Sequence, residues 1–205
     1  MNYTPLIVFI LIYQVNAQAP IVEIKFAGND KSQSVDIYIS PSCLHCGHFL
    51  ATELDNMIKS GQVSVTIKLL PTTAKDFFIM KLIQNETTNP KTYYKIYLNF
   101  IKRTIATINF INPNRKQLAK YKGSTTDPDM IKYQIIASDF GFSEQKIVNA
   151  FPDPKMEGKF EKFVLNNYTE NAKVISKIIG TNKLDLPLIV RNGKAYRKLT
   201  KALKN

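Results

Sequence analysis

Both cysteines of the chain lie in a single tetrapeptide, Cys43-Leu44-His45-Cys46. Proteins that use cysteine for stability usually spread it over several loops. Two thiols separated by only two residues have instead the spacing of a reversible redox pair, whose reactive form is the thiolate. His45 lies between them, and a positively polarised imidazole beside Cys43 stabilises that thiolate further. The spacing therefore suggests thiol–disulfide exchange.

The segments around the tetrapeptide predict that it begins a helix. Val35–Ile39 is rich in β-branched and aromatic residues and predicts a buried strand, which Ser40-Pro41-Ser42 interrupts. Apolar residues then recur at helical spacing until Gly61 ends the pattern. These residues are Phe49, Leu50, Leu54, Met57 and Ile58.

A helix N-terminus gives the two thiols different chemistry. Backbone N–H groups and the helix dipole stabilise negative charge there and lower the pKa of the first thiol. We therefore expect Cys43 to be the exposed nucleophile and Cys46, one turn further on, to be the buried resolving thiol. A stabilised reduced form makes the disulfide a stronger oxidant, which favours the donation of disulfides over their reduction.

Three other kinds of site use cysteines at close spacing. A metal site could combine the two cysteines with His45 and His48, although four ligands from one short helical stretch do not all converge on one ion. A haem attachment site needs histidine directly after the second cysteine, where Gly47 stands instead. An inert disulfide is also open, although so short a loop gives little entropic stabilisation. We expect neither a metal nor a cofactor here.

Two further segments predict the remaining strands of an α/β sheet. In Val63–Leu70 apolar and polar residues alternate, the last two residues are both apolar, and Pro71 then ends the predicted strand. Together with the strand and helix before it, this strand completes a βαβ unit. Near the other end of the chain, Leu186–Val190 predicts a strand that leads into an Asn-Gly hairpin turn at Arg191–Lys194. A strand over Ala195–Lys198 follows, and then a short closing helix.

With these elements, the sequence resembles the DsbA-like thioredoxin-fold thiol:disulfide oxidoreductases. The resemblance rests on Ser40–Cys46 between a strand and a helix, on the Pro187 strand with its hairpin, and on Asp139–Glu144. It runs from about Ile21 to the C-terminus and implies an α/β thioredoxin fold with a large inserted helical subdomain. The implied division is a thioredoxin-like domain at 18–71 and 180–205, with the helical subdomain at 72–179.

The resemblance also implies a role for individual residues. Cys43, Cys46 and His45 would be catalytic. Pro187 would be a cis proline that faces the cysteines across the substrate groove, and Leu186 would offer its backbone to an incoming peptide as an added strand. The implied function is to introduce disulfides into reduced, unfolded exported proteins, with a membrane redox partner that reoxidises the pair. A disulfide isomerase or reductase of the same fold and a non-enzymatic metal- or peptide-binding module are the alternatives.

Two positions depart from the family pattern. Members often carry an acidic residue six positions before the first cysteine, where Ile37 stands here. Asp36 is one residue away and therefore points to the opposite face of the sheet. The residue before the proline is often Thr or Val, and here it is Leu186, whose side chain could change the redox potential. The usual internal proton relay is therefore not expected.

The sequence of the inserted segment, residues 72–179, predicts helices. An Asn or Asp followed by Pro is typical of a helix start, because the Asn or Asp side chain can cap the helix N-terminus and Pro fits the first turn. Such pairs occur at Asn89-Pro90, Asn112-Pro113, Asp127-Pro128 and Asp153-Pro154, and Ser143-Glu144 is a further start. A stripe of apolar residues predicts the core face of the last helix: Phe160, Phe163, Val164, Ala172, Ile175 and Ile179. We expect the aromatic residues of the insertion to be core: Phe77, Phe78, Tyr93, Tyr94, Tyr97 and Phe100.

The N-terminus predicts export. The first seventeen residues carry no charged side chain, and Leu6–Tyr13 is a continuous apolar run of eight. Polar residues and the small Ala17 follow, so residues 1–17 are predicted to be a signal peptide that is cleaved after Ala17. The expected location is the periplasm, an oxidising compartment.

The charge of the chain is strongly basic, at +12 over 205 residues with 44% hydrophobic residues. Arg191–Lys204 holds six basic residues and no acidic one. A nucleic-acid partner is not expected, because no groove-binding element or aromatic stacking set accompanies the charge. The basic face could touch an anionic membrane or a membrane redox partner. No separate dimerisation segment is visible, so we expect a monomer.

Overall fold

The computed structural model describes residues 19–121, 127–180 and 185–204. The predicted signal peptide lies outside these ranges. Within them, no helix is both long enough and apolar enough to cross a bilayer.

The centre of the fold is a five-stranded sheet with the order β1-β3-β2-β4-β5. β2 and β3 run parallel, and the other neighbouring pairs are antiparallel. The strands are β1 (Glu23–Phe26), β2 (Asp30–Ile39), β3 (Val63–Leu69), β4 (Leu188–Arg191) and β5 (Lys194–Tyr196). β1 was not expected from the sequence, whereas the other four lie where the strand patterns predict them.

Side-chain burial explains why the central strands form. Buried and half-buried residues alternate along β3, as expected for a strand with one face on a core. Ile37 of β2 lies at the middle of the sheet, where it pairs with Ile67 of β3 and with Ile189 of β4. All three side chains are almost fully buried. The hairpin after β4 turns at Asn192 and Gly193, which both have positive φ, as the Asn-Gly turn predicts.

Helices surround the sheet and fill the long connection between β3 and β4. They are α1 (Leu44–Phe49), α2 (Asp55–Ser60), α3 (Ala74–Gln84), α4 (Pro90–Thr107), α5 (Arg115–Tyr121), α6 (Pro128–Phe140), α7 (Glu144–Asn149), α8 (Lys159–Ile179) and α9 (Leu199–Lys204). A π-helical turn, Leu50–Leu54, joins α1 to α2, and a 3₁₀ turn, Ile108–Phe110, follows α4. The six helices α3 to α8 lie between β3 and β4 in the chain, although the division into domains remains a prediction.

Three of the predicted helix starts are confirmed. The Asn89 side chain accepts hydrogen bonds from two backbone N–H groups at the start of α4. Asp127 caps α6, and Ser143 caps α7.

Two of the predicted starts are wrong. α5 begins at Arg115, three residues after Asn112, because Asn114 and Gln117 cap it reciprocally through side chain and backbone. Asp153 instead accepts a hydrogen bond from the Lys155 N–H within a turn. Met156 has a positive φ, which is not compatible with a right-handed helix, and α8 begins only at Lys159.

The six aromatic residues of the insertion are all buried, which confirms the prediction that they are core. The predicted burial of the apolar stripe on α8 is confirmed for Val164 and Ile175. It is wrong for Phe163, whose side chain is 36% exposed. Neighbouring residues on a helix point about 100° apart, so Phe163 turns outward where Val164 turns inward.

The caps provide a test of this helix assignment. Asn89→Ala should lower the free energy of unfolding by about 1 kcal/mol, because it removes the side-chain acceptor at the start of α4. Asn112→Ala is the matched control and should stay within about 0.5 kcal/mol of wild type. Urea denaturation measures both, and equal losses would contradict the assignment.

Candidate active site

Cys43 stands at the N-cap of α1, with extended backbone angles of φ −71° and ψ 109°. Its Sγ accepts a hydrogen bond from the backbone N–H of Cys46 at 3.1 Å. Its carbonyl oxygen accepts from the N–H of Gly47 at 2.9 Å, which closes the first helical turn. The predicted placement of the first cysteine at a helix start is therefore correct in the backbone geometry.

The two thiols differ in exposure as the sequence predicts. Both cysteines are free. Cys43 is half-buried, whereas Cys46 is fully buried. An external thiol can therefore approach the first sulfur but not the second.

The surroundings of Cys43 lower its pKa to about 6. The largest cause is a hydrogen bond from the Cys46 thiol to the Cys43 sulfur. Burial is the second largest influence and acts in the opposite direction, while the Cys46 backbone N–H and the electrostatic interaction with His45 make smaller contributions that lower the pKa further. The Cys43 thiol is thus largely a thiolate at neutral pH.

The pKa of Cys46 moves the opposite way and is strongly raised. Its proton is shared in the hydrogen bond to Cys43, and burial and the neighbouring thiolate both penalise a second negative charge. Asp76 adds a smaller repulsion of the same sign. The pair therefore holds one proton, on Cys46.

Gly47 lets α1 lie close against α4. A Cβ at this position would collide with the side chain of Ile101, and a second contact would come from Ile105. The residue that excludes haem attachment in the sequence thus also fixes the approach of the redox helix to the helical insertion.

The Leu186–Pro187 peptide bond is cis, as the resemblance implies. Both residues line a surface cavity of about 530 Å³ together with His45. The described lining includes neither cysteine; its other members are His48, Phe49, Glu53, Asp185, Arg197 and Lys198. Leu186 and Cys43 both pack against the main hydrophobic core. His45 of the tetrapeptide and the cis-proline segment thus line the same surface cavity.

The departure from the family pattern at β2 is visible in the structure. The position that is often acidic in the family holds Ile37, whose apolar side chain is fully buried. Asp36 forms an ion pair with Lys68 at 2.9 Å, and Lys68 also donates to the hydroxyl of Tyr38. The expectation that Asp36 lies on the other face is consistent with these partners.

Sequence reasoning missed the carboxylate that does lie near the cysteines. Asp76, at the start of α3, is fully buried and influences the Cys46 thiol electrostatically. Its Oδ2 accepts from the backbone N–H and the hydroxyl groups of Thr72 and Thr73. Its Oδ1 accepts from the loop before Cys43. The Thr73-x-x-Asp76 spacing is a capping-box signal for the helix start, but it does not reveal this neighbourhood.

No group of three or more His, Cys, Asp or Glu side chains within the described ranges is arranged to hold a metal ion. The site as described consists of the two thiols, the imidazole of His45 and the polar groups around them.

Comparison with known proteins identifies the fold of the chain through solved structures of low sequence identity. No protein-family model matches the chain, and no curated protein matches it. A solved protein-disulfide isomerase from Novosphingobium aromaticivorans superposes with a TM-score of 0.57 at 15% identity, over 91% of this chain and 95% of its own. The α-DsbA1 of Wolbachia pipientis superposes with a TM-score of 0.50 at 13% identity, over 88% and 81%.

These likenesses define the class of fold. The chain has the thioredoxin fold with a helical insertion found in DsbA-like proteins, which confirms the predicted fold class and the resemblance at the level of the fold.

The Cys43 pKa makes a direct prediction for the reduced protein. Ultraviolet thiolate absorbance should titrate with a midpoint near pH 6, and the rate of alkylation should rise through the same pH and level off above it. The sign follows from the lowered pKa, because the reactive thiolate is lost as pH falls through it. A midpoint near the ordinary thiol value of 9 would contradict the geometry.

The two histidines of the cavity separate local electrostatics from a general effect. His45→Gln should raise the midpoint, because it removes one of the influences that stabilise the Cys43 thiolate. His48→Gln is the matched control, since His48 lines the same cavity but is not among the main causes of the shift. Equal shifts in both variants would show that His45 has no specific role.

Proposed function

We propose that this protein is an exported thiol–disulfide oxidoreductase that introduces disulfides into reduced proteins. The observation that carries the proposal is the asymmetry of the two thiols. Cys43 is accessible, lies at a helix N-terminus and has a pKa lowered to about 6, while buried Cys46 keeps its proton. Stabilisation of the reduced pair makes its disulfide an oxidant.

The first step is the attack of a substrate thiolate on the Cys43 sulfur of the oxidised pair. The bond between Cys43 and Cys46 breaks as the bond from substrate sulfur to Cys43 forms. The Cys46 sulfur leaves with the bonding electron pair and takes up a proton from water. The product is a mixed disulfide between substrate and Cys43.

The second step releases the substrate as a disulfide. A second substrate thiolate attacks the substrate sulfur of the mixed disulfide, and Cys43 leaves as a thiolate. Its low pKa makes it a good leaving group. The substrate loses two electrons to the pair, and a membrane redox partner is proposed to remove them and restore the disulfide.

The cavity lined by His45, Leu186 and Pro187 supports a peptide substrate. Leu186 and Pro187 present the backbone at the start of β4 next to His45, and an extended peptide could pair there as an added strand. The mixed lining of imidazoles, an apolar ring and both signs of charge suits unfolded chains of varied sequence. Reduced, unfolded exported proteins are the proposed substrates.

Export to the periplasm is proposed from the sequence. The uncharged apolar segment at residues 1–17 supports a cleaved signal, and an oxidising compartment is where a disulfide donor has substrates.

Cysteine variants test the reaction. Oxidation of a reduced model protein should be lost in Cys43→Ser, because the attacked sulfur is absent. Cys46→Ser should also fail to oxidise the reduced protein, because it cannot form the disulfide that is passed on. When it is mixed with a disulfide-bonded protein instead, its Cys43 thiolate should attack that disulfide, displace one substrate thiolate and stay joined to the other sulfur as a mixed disulfide, seen on a non-reducing gel, because the Cys46 thiol that would release it is absent. Activity of Cys43→Ser equal to that of wild type would refute the proposal.

The direction of exchange is tested by equilibration with glutathione buffers. An oxidase should remain reduced at glutathione ratios at which thioredoxin-like reductases are already oxidised. A pair that stays oxidised at strongly reducing ratios would favour the reductase alternative. Isomerisation of a scrambled disulfide substrate in excess over oxidation of a reduced one would favour the isomerase.

A further inference from the structure

The turn that precedes Cys43 is held by side chains from three helices of the insertion. Tyr97, on α4, donates its hydroxyl to the carbonyl oxygen of Pro41 at 3.1 Å. Tyr133, on α6, donates to the carbonyl oxygen of Ser42 at 3.0 Å. Both hydroxyls come from well-buried rings, and burial raises the pKa of each, so both remain protonated donors at neutral pH.

Asp76, on α3, holds the same turn by accepting hydrogen bonds from its N–H and hydroxyl donors. Its Oδ1 accepts from the backbone N–H of Ser42 at 2.6 Å and from the hydroxyl of Ser40 at 2.7 Å. Its other oxygen is fixed by Thr72 and Thr73, so the carboxylate has little freedom to move. Ser42 is therefore clamped at both its N–H and its carbonyl group.

This clamp acts on the residue that carries the reactive sulfur. The Ser42 carbonyl belongs to the planar peptide group that includes the Cys43 nitrogen, so fixing one end fixes the plane. The plane sets where Cys43 leaves the turn, and thus whether its Sγ meets the N–H of Cys46. A looser turn would weaken that hydrogen bond without removing any atom of the redox pair.

We infer that Asp76, Tyr97 and Tyr133 are positioning residues, which hold the Ser40–Ser42 turn so that the Cys43 sulfur stays aligned with the N-terminus of α1. The inference deepens the proposed function and rests on it for its biological meaning. The helical insertion then contributes to thiol reactivity as well as to the core.

A purely structural role would leave a different signature. Buried polar groups are normally paired, and the three side chains could simply satisfy backbone groups and stabilise the fold. Their loss would then lower the melting temperature but leave the acidity of Cys43 and its equilibrium with glutathione unchanged. Positioning requires both of these properties to change.

Tyrosine variants provide the first test. Tyr97→Phe and Tyr133→Phe should each raise the titration midpoint of Cys43 by about half a pH unit or more, because each removes one hydrogen bond from the turn. The equilibrium constant with glutathione should shift about threefold towards the oxidised pair. Tyr93→Phe is the matched control and should change neither value, since the buried Tyr93 hydroxyl has no hydrogen-bond partner among the residues that the structure describes.

Aspartate variants provide the second test. Asp76→Asn places an amide N–H₂ group among donors, so it loses bonds to the turn or to the threonines and should shift both values in the same direction. Asp55→Asn is the control, because Asp55 is also buried but pairs with Lys59 on α2. If Asp76→Asn does not fold, the tyrosine variants decide the question.

The outcomes separate this inference from the proposed function. Unchanged midpoints and glutathione equilibria in folded Tyr97→Phe and Tyr133→Phe would overturn the positioning role, even if wild type oxidises substrates well. Shifted values in a protein that oxidises no reduced substrate would support positioning and overturn the proposed function instead.

Discussion

The different chemistry of the two thiols depends on how one negative charge is stabilised at the start of α1. The Cys43 sulfur receives a hydrogen bond from the Cys46 thiol and another from its backbone N–H, while His45 adds a favourable electrostatic interaction. One thiol of the pair is therefore acidic and half-exposed, and the other is buried and keeps its proton. Burial of both sulfurs would remove access, and exposure of both would remove the asymmetry.

The sheet and the insertion both contribute to this arrangement. β2 brings the chain to the turn, and the close contact at Gly47 sets α1 against α4. Polar side chains from the insertion then pair with the backbone of the turn. The thioredoxin sheet supplies the helix N-terminus, whereas the helices between β3 and β4 fix the turn that leads into it.

Local patterns were enough to predict most of this fold. The Asn-Gly hairpin, the Gly61 helix end and the strand before the tetrapeptide all depend on neighbouring residues, and the structure has each of them. The errors arose where local signals compete, as where Asn114 caps α5 in place of Asn112. Asp76 was missed because its partners lie 34 and 36 residues away in the sequence, and no periodicity reports such a contact.

The different acidity of the two thiols can be measured by observing each cysteine separately. Heteronuclear NMR of the Cβ atoms of Cys43 and Cys46 in the reduced protein, followed as a function of pH, reports which thiol loses its proton. The Cys43 signal should move with a midpoint near pH 6, while the Cys46 signal should stay at its thiol position through the neutral range. Movement of Cys46 first, or of both signals together near pH 9, would contradict this prediction.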